Sequence, residues 1–301
     1  MSASAGNPGP PAPAVDLHQP QDVIDLLARA RQANLQAPAR HGNCIHLPSR
    51  GRLMMSGDLH DHTINFQRLV KIAQLDQSPD HHLVLHELTH GKHTVNGRDL
   101  SIRLLARVAE LKARYPHQVH LLLANHDLAQ ALDYQILKDG RSVTQAFRDG
   151  VEFLYHDRAP EVHQAAADFI LSFPLAVRSE TGLLCAHSLP APHTLPRFDP
   201  TILDRPLTPP DFAHGGPVYQ MIWGRQHTPE LAQALADAWK ARFFILGHQP
   251  ADMGYYEETD RILILASDHE HGVALPLELD RRYRELSELV DSLILLAGVR
   301  L

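Results

Sequence analysis

Leu53-Met54-Met55-Ser56-Gly57-Asp58-Leu59-His60-Asp61-His62 is an apolar run that ends in Ser-Gly and then delivers a carboxylate and an imidazole two residues apart. Read as a buried strand, Leu53–Met55 places Asp58 and His60 just past its C-terminal end, where open α/β sheets carry their ligands. A carboxylate and an imidazole at this spacing can grip one divalent cation from a single turn. With 22 histidines in 301 residues, chance pairs are common, so the pair alone decides nothing. Its weight comes from four more ligand-type residues, each just after an apolar run: Glu87, Asn125, His187 and His248.

The composition narrows the class. Hydrophobic residues make up 44% of the chain and charged residues 21%, which suits a globular protein with a sizeable core. No apolar run approaches the ~20 residues that span a bilayer, so no membrane partner is expected. The first residues hold neither a basic patch nor an apolar signal core, and the only cysteines are Cys44 and Cys185. Both facts point to a reducing, cytoplasmic setting, with Cys185 as packing. The net charge is −7 and lysine and arginine form no block, which argues against a nucleic-acid partner. A phosphate bound here would need local positive charge, and metal ions supply it.

Outward from the opening stretch, residues 1–20 are rich in Pro, Ala, Ser and Gly and read as a disordered leader. Asp22–Ala30 has a helical apolar face. Helices are predicted over Ile64–Leu75, Ser101–Tyr115, Val143–Leu154, Pro160–Leu171 and Leu231–Ala241. Strands are predicted at Leu83–Leu85, Val119–Leu123, Pro174–Val177, Leu183–Ala186, Phe243–Leu246, Ile262–Ala266 and Val273–Leu277. Residues 190–217, with many prolines, read as a long surface loop. Arg281–Leu296 reads as a terminal amphipathic helix. Strands alternating with helices and then clustering late imply a layered α/β sandwich, with 21–301 as one domain.

Taken in order, Gly57-Asp58-Leu59-His60, His86-Glu87-Leu88-Thr89-His90-Gly91-Lys92, Ala124-Asn125-His126-Asp127, Ala186-His187-Ser188 and Gly247-His248-Gln249-Pro250 resemble the calcineurin-type metallophosphoesterases. Within that superfamily the chain is most similar to the phosphoprotein-phosphatase branch. The resemblance runs over roughly residues 52–279. It implies a four-layer α/β/β/α sandwich of two mixed sheets flanked by helices. It also implies two divalent metal ions (manganese, iron or zinc). Asp58 and His60 would hold one ion, Glu87 would bridge both, and Asn125, His187 and His248 would complete the second. Cations about 3.5–4 Å apart clamp a phosphoryl group and acidify bound water. The implied reaction is hydrolysis of a phosphomonoester, on a phosphoprotein or a small molecule, by a metal-bound hydroxide with His126 as general acid.

The chain departs from the branch's pattern in several places. Glu87 stands where the branch has aspartate, and His90, Gly91 and Lys92 replace its next aspartate, arginine and glycine. The aspartate would orient the acid histidine and the arginine would grip phosphate. Asp127 is a candidate for the first task, and Arg225 or Lys92 for the second. Ser188-Leu189 replaces Gly-Gly after His187, and Pro250 removes a further histidine found in other relatives. His214-Gly215-Gly216 follows a Pro-rich stretch rather than a strand and is set aside. His62, His90, His93, His269 and His271 read as second-rank candidates or solvated loop residues.

A rival reading starts from His86-Glu87-Leu88-Thr89-His90, a full match to the His-Glu-x-x-His zinc-peptidase signature. On a helix the two histidines would share a face and bind zinc, with Glu87 as general base and Glu110 as a third ligand. That reading leaves the other strand-end residues as coincidences. Conformation separates the two: a strand ending near Glu87 fits the phosphoesterase, an unbroken helix through 80–92 the peptidase. A phosphatase-like binding scaffold without turnover is the third reading.

Overall fold

The computed structural model describes residues 15–138 and 140–301. In chain order the first half runs α1 (Pro20–Leu35), β1 (Arg40–His41), β2 (Cys44–Leu47), β3 (Arg52–Asp58), α2 (Thr63–Ala73) and β4 (His81–His86). Then follow α3 (Ile102–Arg114), β5 (Val119–Leu122), α4 (Asn125–Ala131), β6 (Leu137–Lys138), β7 (Arg141–Ser142), α5 (Val143–Tyr155) and α6 (Ala159–Ile170). The second half holds β8 (Ala176–Ser179), β9 (Leu183–Ala186), α7 (Pro209–Phe212), α8 (Pro217–Trp223) and α9 (Pro229–Trp239). It closes with β10 (Phe243–Leu246), β11 (Tyr255–Thr259), β12 (Ile262–Leu265), β13 (Val273–Glu278), α10 (Ser287–Val290) and β14 (Ile294–Leu295).

Two mixed sheets result. One has seven strands in the order β1-β2-β8-β9-β10-β12-β11, the other five in the order β14-β13-β3-β4-β5. Strand alternation explains how they stack. Leu53, Met55, Val84, Leu183, Cys185, Phe243, Ile245, Leu263 and Leu265 point into one shared core between the sheets. Their neighbours Met54, Leu83, Leu85, Leu184, Phe244, Leu246, Ile262 and Ile264 belong to the other core, with the helices. Strands buried on both faces read as unbroken apolar runs, as these do. Helix α3 shows the covering pattern: Leu104, Leu105, Val108 and Ala109 are buried while Arg103, Arg107 and Glu110 are exposed. The architecture is two mixed sheets flanked by helices, as the sequence implied.

The central parallel strands β3, β4 and β5 run side by side, as do β9, β10 and β12. The residue runs that follow them therefore gather at one edge of the sandwich. Gly57 makes part of this possible, because a Cβ there would lie 2.4 Å from the backbone of Leu265.

Three expectations are corrected. The His-Glu-x-x-His run is not helical: His81–His86 is a strand paired with β3 and β5, and Glu87 and His90 both have positive φ. Its two histidines cannot share a helix face, and Glu110 is exposed on α3, which removes the peptidase reading. The terminal helix expected over 281–296 is instead the single turn α10 followed by β14. Glu288 accepts the backbone N–H groups of Arg284 and Glu285, and Ile294 pairs with Ala274 on the edge of β13. Completing a sheet edge outweighs local helical periodicity there. The 190–217 stretch is not a plain loop, since it carries two 3₁₀ turns and α7 with Ile202 and Leu203 buried. Arg205 bridges Asp199 and Asp211 across it. Of the expected leader, residues 1–14 lie outside the described residues, and Pro20 already opens α1. Among the described residues no helix is long and apolar enough to cross a membrane.

Candidate metal centre

Each ligand-type residue singled out in the sequence sits at, or just past, the C-terminal end of a strand. Asp58 is the last residue of β3 and His60 lies two residues on; Glu87 follows β4, His187 follows β9 and His248 follows β10. Asn125 opens α4 after β5. The structure brings them together. His187 Nε2 lies 2.7 Å from Asn125 Oδ1, 3.1 Å from Glu87 Oε2 and 3.2 Å from His248 Nδ1. His248 Nδ1 is in turn 2.9 Å from Asn125 Oδ1. Glu87, His187 and His248 each offer a ligand atom within 4.8 Å of the others, and so do Asp58, His60 and Glu87.

Backbone geometry sets these approaches. His60, Glu87 and His248 all adopt positive φ, a sparsely populated region that turns the chain sharply after each strand. The His248 N–H donates to both Asp58 oxygens, at 3.0 and 2.9 Å, which ties the β3 end to the β10 end. Gly247 lets them meet: a Cβ there would lie 2.2 Å from Asp58 Oδ1 and 2.4 Å from His86 Cε1. Asp127, fully buried, accepts from the N–H groups of Leu88 and Thr89 and from the Thr89 hydroxyl, and so fixes the turn that presents Glu87. It is not among the residues lining the cleft above the cluster.

That cleft has a volume of about 380 Å³ and is lined by His126, Arg225, Lys92 and Asp268 besides Asp58, His60, Glu87, Asn125 and His248; His187 lies beneath them, fully buried. The backbone N–H of His126 donates to Glu87 Oε1 at 3.1 Å, and its ring meets the His60 ring edge-on at 5.4 Å. Behind it His90, buried, lies 3.3 Å from Asp99 Oδ2. Arg225 Nε donates to His248 Nε2 at 3.1 Å, whereas Lys92 pairs with Asp268 at 2.8 Å. His227, held by Glu258 at 2.6 Å, anchors the Arg225 segment.

The electrostatics suit a cation. Burial pushes the Asp58 carboxyl up to about 8 and raises Glu87 well above the carboxylate range, with the Asp58 and Asp127 charges adding to the latter. Burial lowers His248 to about 3, helped by the Arg225 charge, and holds His187 well below its usual value. Crowded acids that resist ionising, next to imidazoles that resist protonation, form an electron-pair-rich pocket short of positive charge. Carboxylate and amide oxygens with neutral imidazoles are donors that divalent first-row metals accept. The donor set fits ions of this kind.

The sequence reading missed Asp268 and the placement of His86. Asp268 lies three residues past β12, within reach of the strand-end rule that found the others, but no known motif marked it. In the sequence, only the peptidase motif gives His86 a role. Fully buried, it stands 3.2 Å from Asp58 Oδ1 and 3.0 Å from His187 Nδ1. Of the histidines ranked second, His62 caps α2 by accepting from Asn65 N–H, His269 donates to the Ala251 carbonyl, and His93 is exposed. His214 packs against the Tyr219 ring at a tilt of 43° and does not line the cleft.

Compared with known proteins, residues 51–273 match the sequence model described as calcineurin-like phosphoesterase. No curated protein matches the chain. Among solved structures, a protein serine/threonine phosphatase from Saccharomyces cerevisiae with similarity to human phosphatase PP5 superposes with a TM-score of 0.63 at 15% identity, covering 91% of this chain and 88% of that one. A cold-active protein-tyrosine phosphatase of the psychrophile Shewanella sp. gives 0.56 at 15% identity, with 83% and 80% coverage. At these identities the two structures speak for the fold.

Proposed function

Since the chain belongs to the calcineurin-like phosphoesterase family, we propose that it hydrolyses phosphomonoesters, with Asp58, His60 and Glu87 holding one divalent cation and Glu87, Asn125, His187 and His248 a second. Membership makes it a metal-dependent hydrolase of phosphate esters; the residue roles and the substrate are the proposal. The observation that supports it is the convergence of six ligand-type side chains from five strand ends, five of them lining one cleft and His187 buried just beneath it.

The cations, when bound, supply Lewis acidity, drawing off phosphoryl charge and acidifying water. The protein does the rest. Asp127 holds the Glu87 turn, and the His126 N–H bond to Glu87 fixes the acid residue beside the bridging carboxylate. From there the His126 ring hands a proton to the departing oxygen, a task worth about 10²–10⁴-fold. Arg225 is the better phosphate clamp, because its planar fork matches phosphoryl oxygens in pairs and Lys92 is engaged by Asp268. Mixed oxygen and nitrogen donors suit manganese, iron or zinc. Ile136 and Leu137 add an apolar wall to the cleft. With protein phosphatases among the similar folds, this favours a phosphorylated protein side chain as substrate. Residues 21–301 are taken as a single domain.

The test is hydrolysis of an aryl phosphate with added Mn²⁺. Asp58→Asn and His126→Ala are each expected to lower kcat/KM by at least about 100-fold, with Mn²⁺ uptake reduced only in the first. Full activity in either variant would contradict the assignment.

A further inference from the structure

His86 is completely buried one residue before Glu87, yet the reaction outlined above gives it no task. Its Nε2 is 3.1 Å from the Ser56 carbonyl oxygen, and its Nδ1 is 3.0 Å from Nδ1 of His187. The far nitrogen of His187 faces Asn125 Oδ1 at 2.7 Å and Glu87 Oε2 at 3.1 Å. A neutral imidazole carries one ring hydrogen. Two rings therefore have two hydrogens for three contacts: Ser56 with His86, His86 with His187, and His187 with the Asn125 and Glu87 oxygens. One contact must go without a ring hydrogen.

A carbonyl oxygen only accepts, so satisfying Ser56 takes the hydrogen of His86 and leaves His86 Nδ1 a bare acceptor. His187 then carries its hydrogen on Nδ1, because otherwise two bare nitrogens would face each other at 3.0 Å, and Asp58 Oδ1 at 3.5 Å accepts in the same direction. The electron pair left over sits on His187 Nε2, among oxygens. In the opposite arrangement His86 donates toward Asp58 Oδ1, 3.2 Å from its Nδ1, and His187 carries its hydrogen on Nε2. The Ser56 carbonyl would then face a bare nitrogen in the interior, at the usual cost of a buried group left unsatisfied.

We propose that His86 is a positioning residue: by donating to Ser56 and accepting from His187 Nδ1, it fixes the tautomer in which His187 Nε2 offers its electron pair to a cation. The inference rests on His187 being a metal ligand. Ligand histidines usually donate their second ring N–H to a carboxylate or a carbonyl; here another imidazole takes that part.

The test reads tautomers and metal affinity rather than turnover. Long-range ¹H–¹⁵N correlation on metal-free wild type, with His187 identified by its loss in His187→Ala, is expected to show the hydrogen on Nδ1. A hydrogen on Nε2 overturns the inference without any further variant. In calorimetric titration of chelator-stripped protein with Mn²⁺, His86→Leu is expected to bind about 10–100-fold more weakly. His86→Asn, whose Oδ1 can accept where the imidazole Nδ1 did, is expected to retain most of the affinity. Unchanged binding in His86→Leu, or equal loss in both variants with folded circular-dichroism spectra, overturns it. If His187→Ala leaves Mn²⁺ uptake unchanged, the ligand assignment fails and takes the inference with it. Loss in His187→Ala beside no loss in His86→Leu sinks the inference alone.

Discussion

Arg225→Ala is expected to tighten metal binding. In the structure Arg225 Nε donates to His248 Nε2 at 3.1 Å, so that nitrogen holds a free electron pair and the ring hydrogen sits on Nδ1. Yet Nδ1 is the atom turned toward Asn125 Oδ1 and His187 Nε2, and thus toward the second cation. A neutral imidazole that ligates through Nδ1 carries its hydrogen on Nε2, where it meets the Arg225 N–H donor to donor. Loading the ion must therefore break the arginine bond. A hydrogen bond to a charged group contributes about 1.5–3 kcal/mol, and each 1.4 kcal/mol is about tenfold in affinity. Removing the guanidinium should raise Mn²⁺ affinity roughly 10–100-fold by this route, and the loss of a nearby positive charge acts in the same direction. The assay is calorimetric titration of stripped protein, with inorganic phosphate inhibition measured alongside. Phosphate should inhibit Arg225→Ala more weakly, because the freed guanidinium of the wild type is the proposed clamp. Mn²⁺ affinity that is unchanged or lower in Arg225→Ala would refute the competition for His248.

Gly247→Ala forces a Cβ to within 2.2 Å of Asp58 Oδ1, so it should cost about 1–3 kcal/mol in urea unfolding and weaken Mn²⁺ binding; wild-type stability would contradict the packing described. Asp127→Ala leaves the Leu88 and Thr89 N–H groups without their acceptor, at about 1–3 kcal/mol each. It should loosen the Glu87 turn enough to weaken metal uptake, which equal affinity would disprove. Away from the centre, His82 is buried against His120 at 3.2 Å, and burial lowers its pKa from 6.5 to about 4. The folded state thus disfavours the charged ring: its contribution is fully present above pH 6.5 and is lost as pH falls toward 4, by about 3 kcal/mol at the limit. Urea unfolding between pH 7 and 4.5 should show a shallower decline in His82→Asn; parallel curves would count against this.

Much of the site was legible because strand ends are legible. Apolar runs of three or four residues, each soon followed by a polar ligand type, put Asp58, Glu87, Asn125, His187 and His248 at the same edge once the strands lay parallel. What the chain order could not convey was which groups stand behind them. His86 gains its place only when β4 lies beside β3 and His187 arrives from the other sheet, 101 residues away. Asp127 sits next to His126 in sequence, but its carboxylate is bound to Leu88 and Thr89, contacts that no local pattern encodes. The terminal stretch failed for a related reason. Tyr283, Leu286 and Leu289 have helical spacing, but they are buried against the core between the sheets while the next residues complete a sheet edge.

The central claim is that these strand ends hold two cations, and anomalous scattering from crystals soaked in Mn²⁺ tests it most directly. The account predicts two peaks, one at ligand distance (about 2.0–2.2 Å) from Asp58, His60 and Glu87, the other from Glu87, Asn125, His187 and His248. Saturating Mn²⁺ with no peak among these side chains, or with ions bound only elsewhere on the surface, would contradict it.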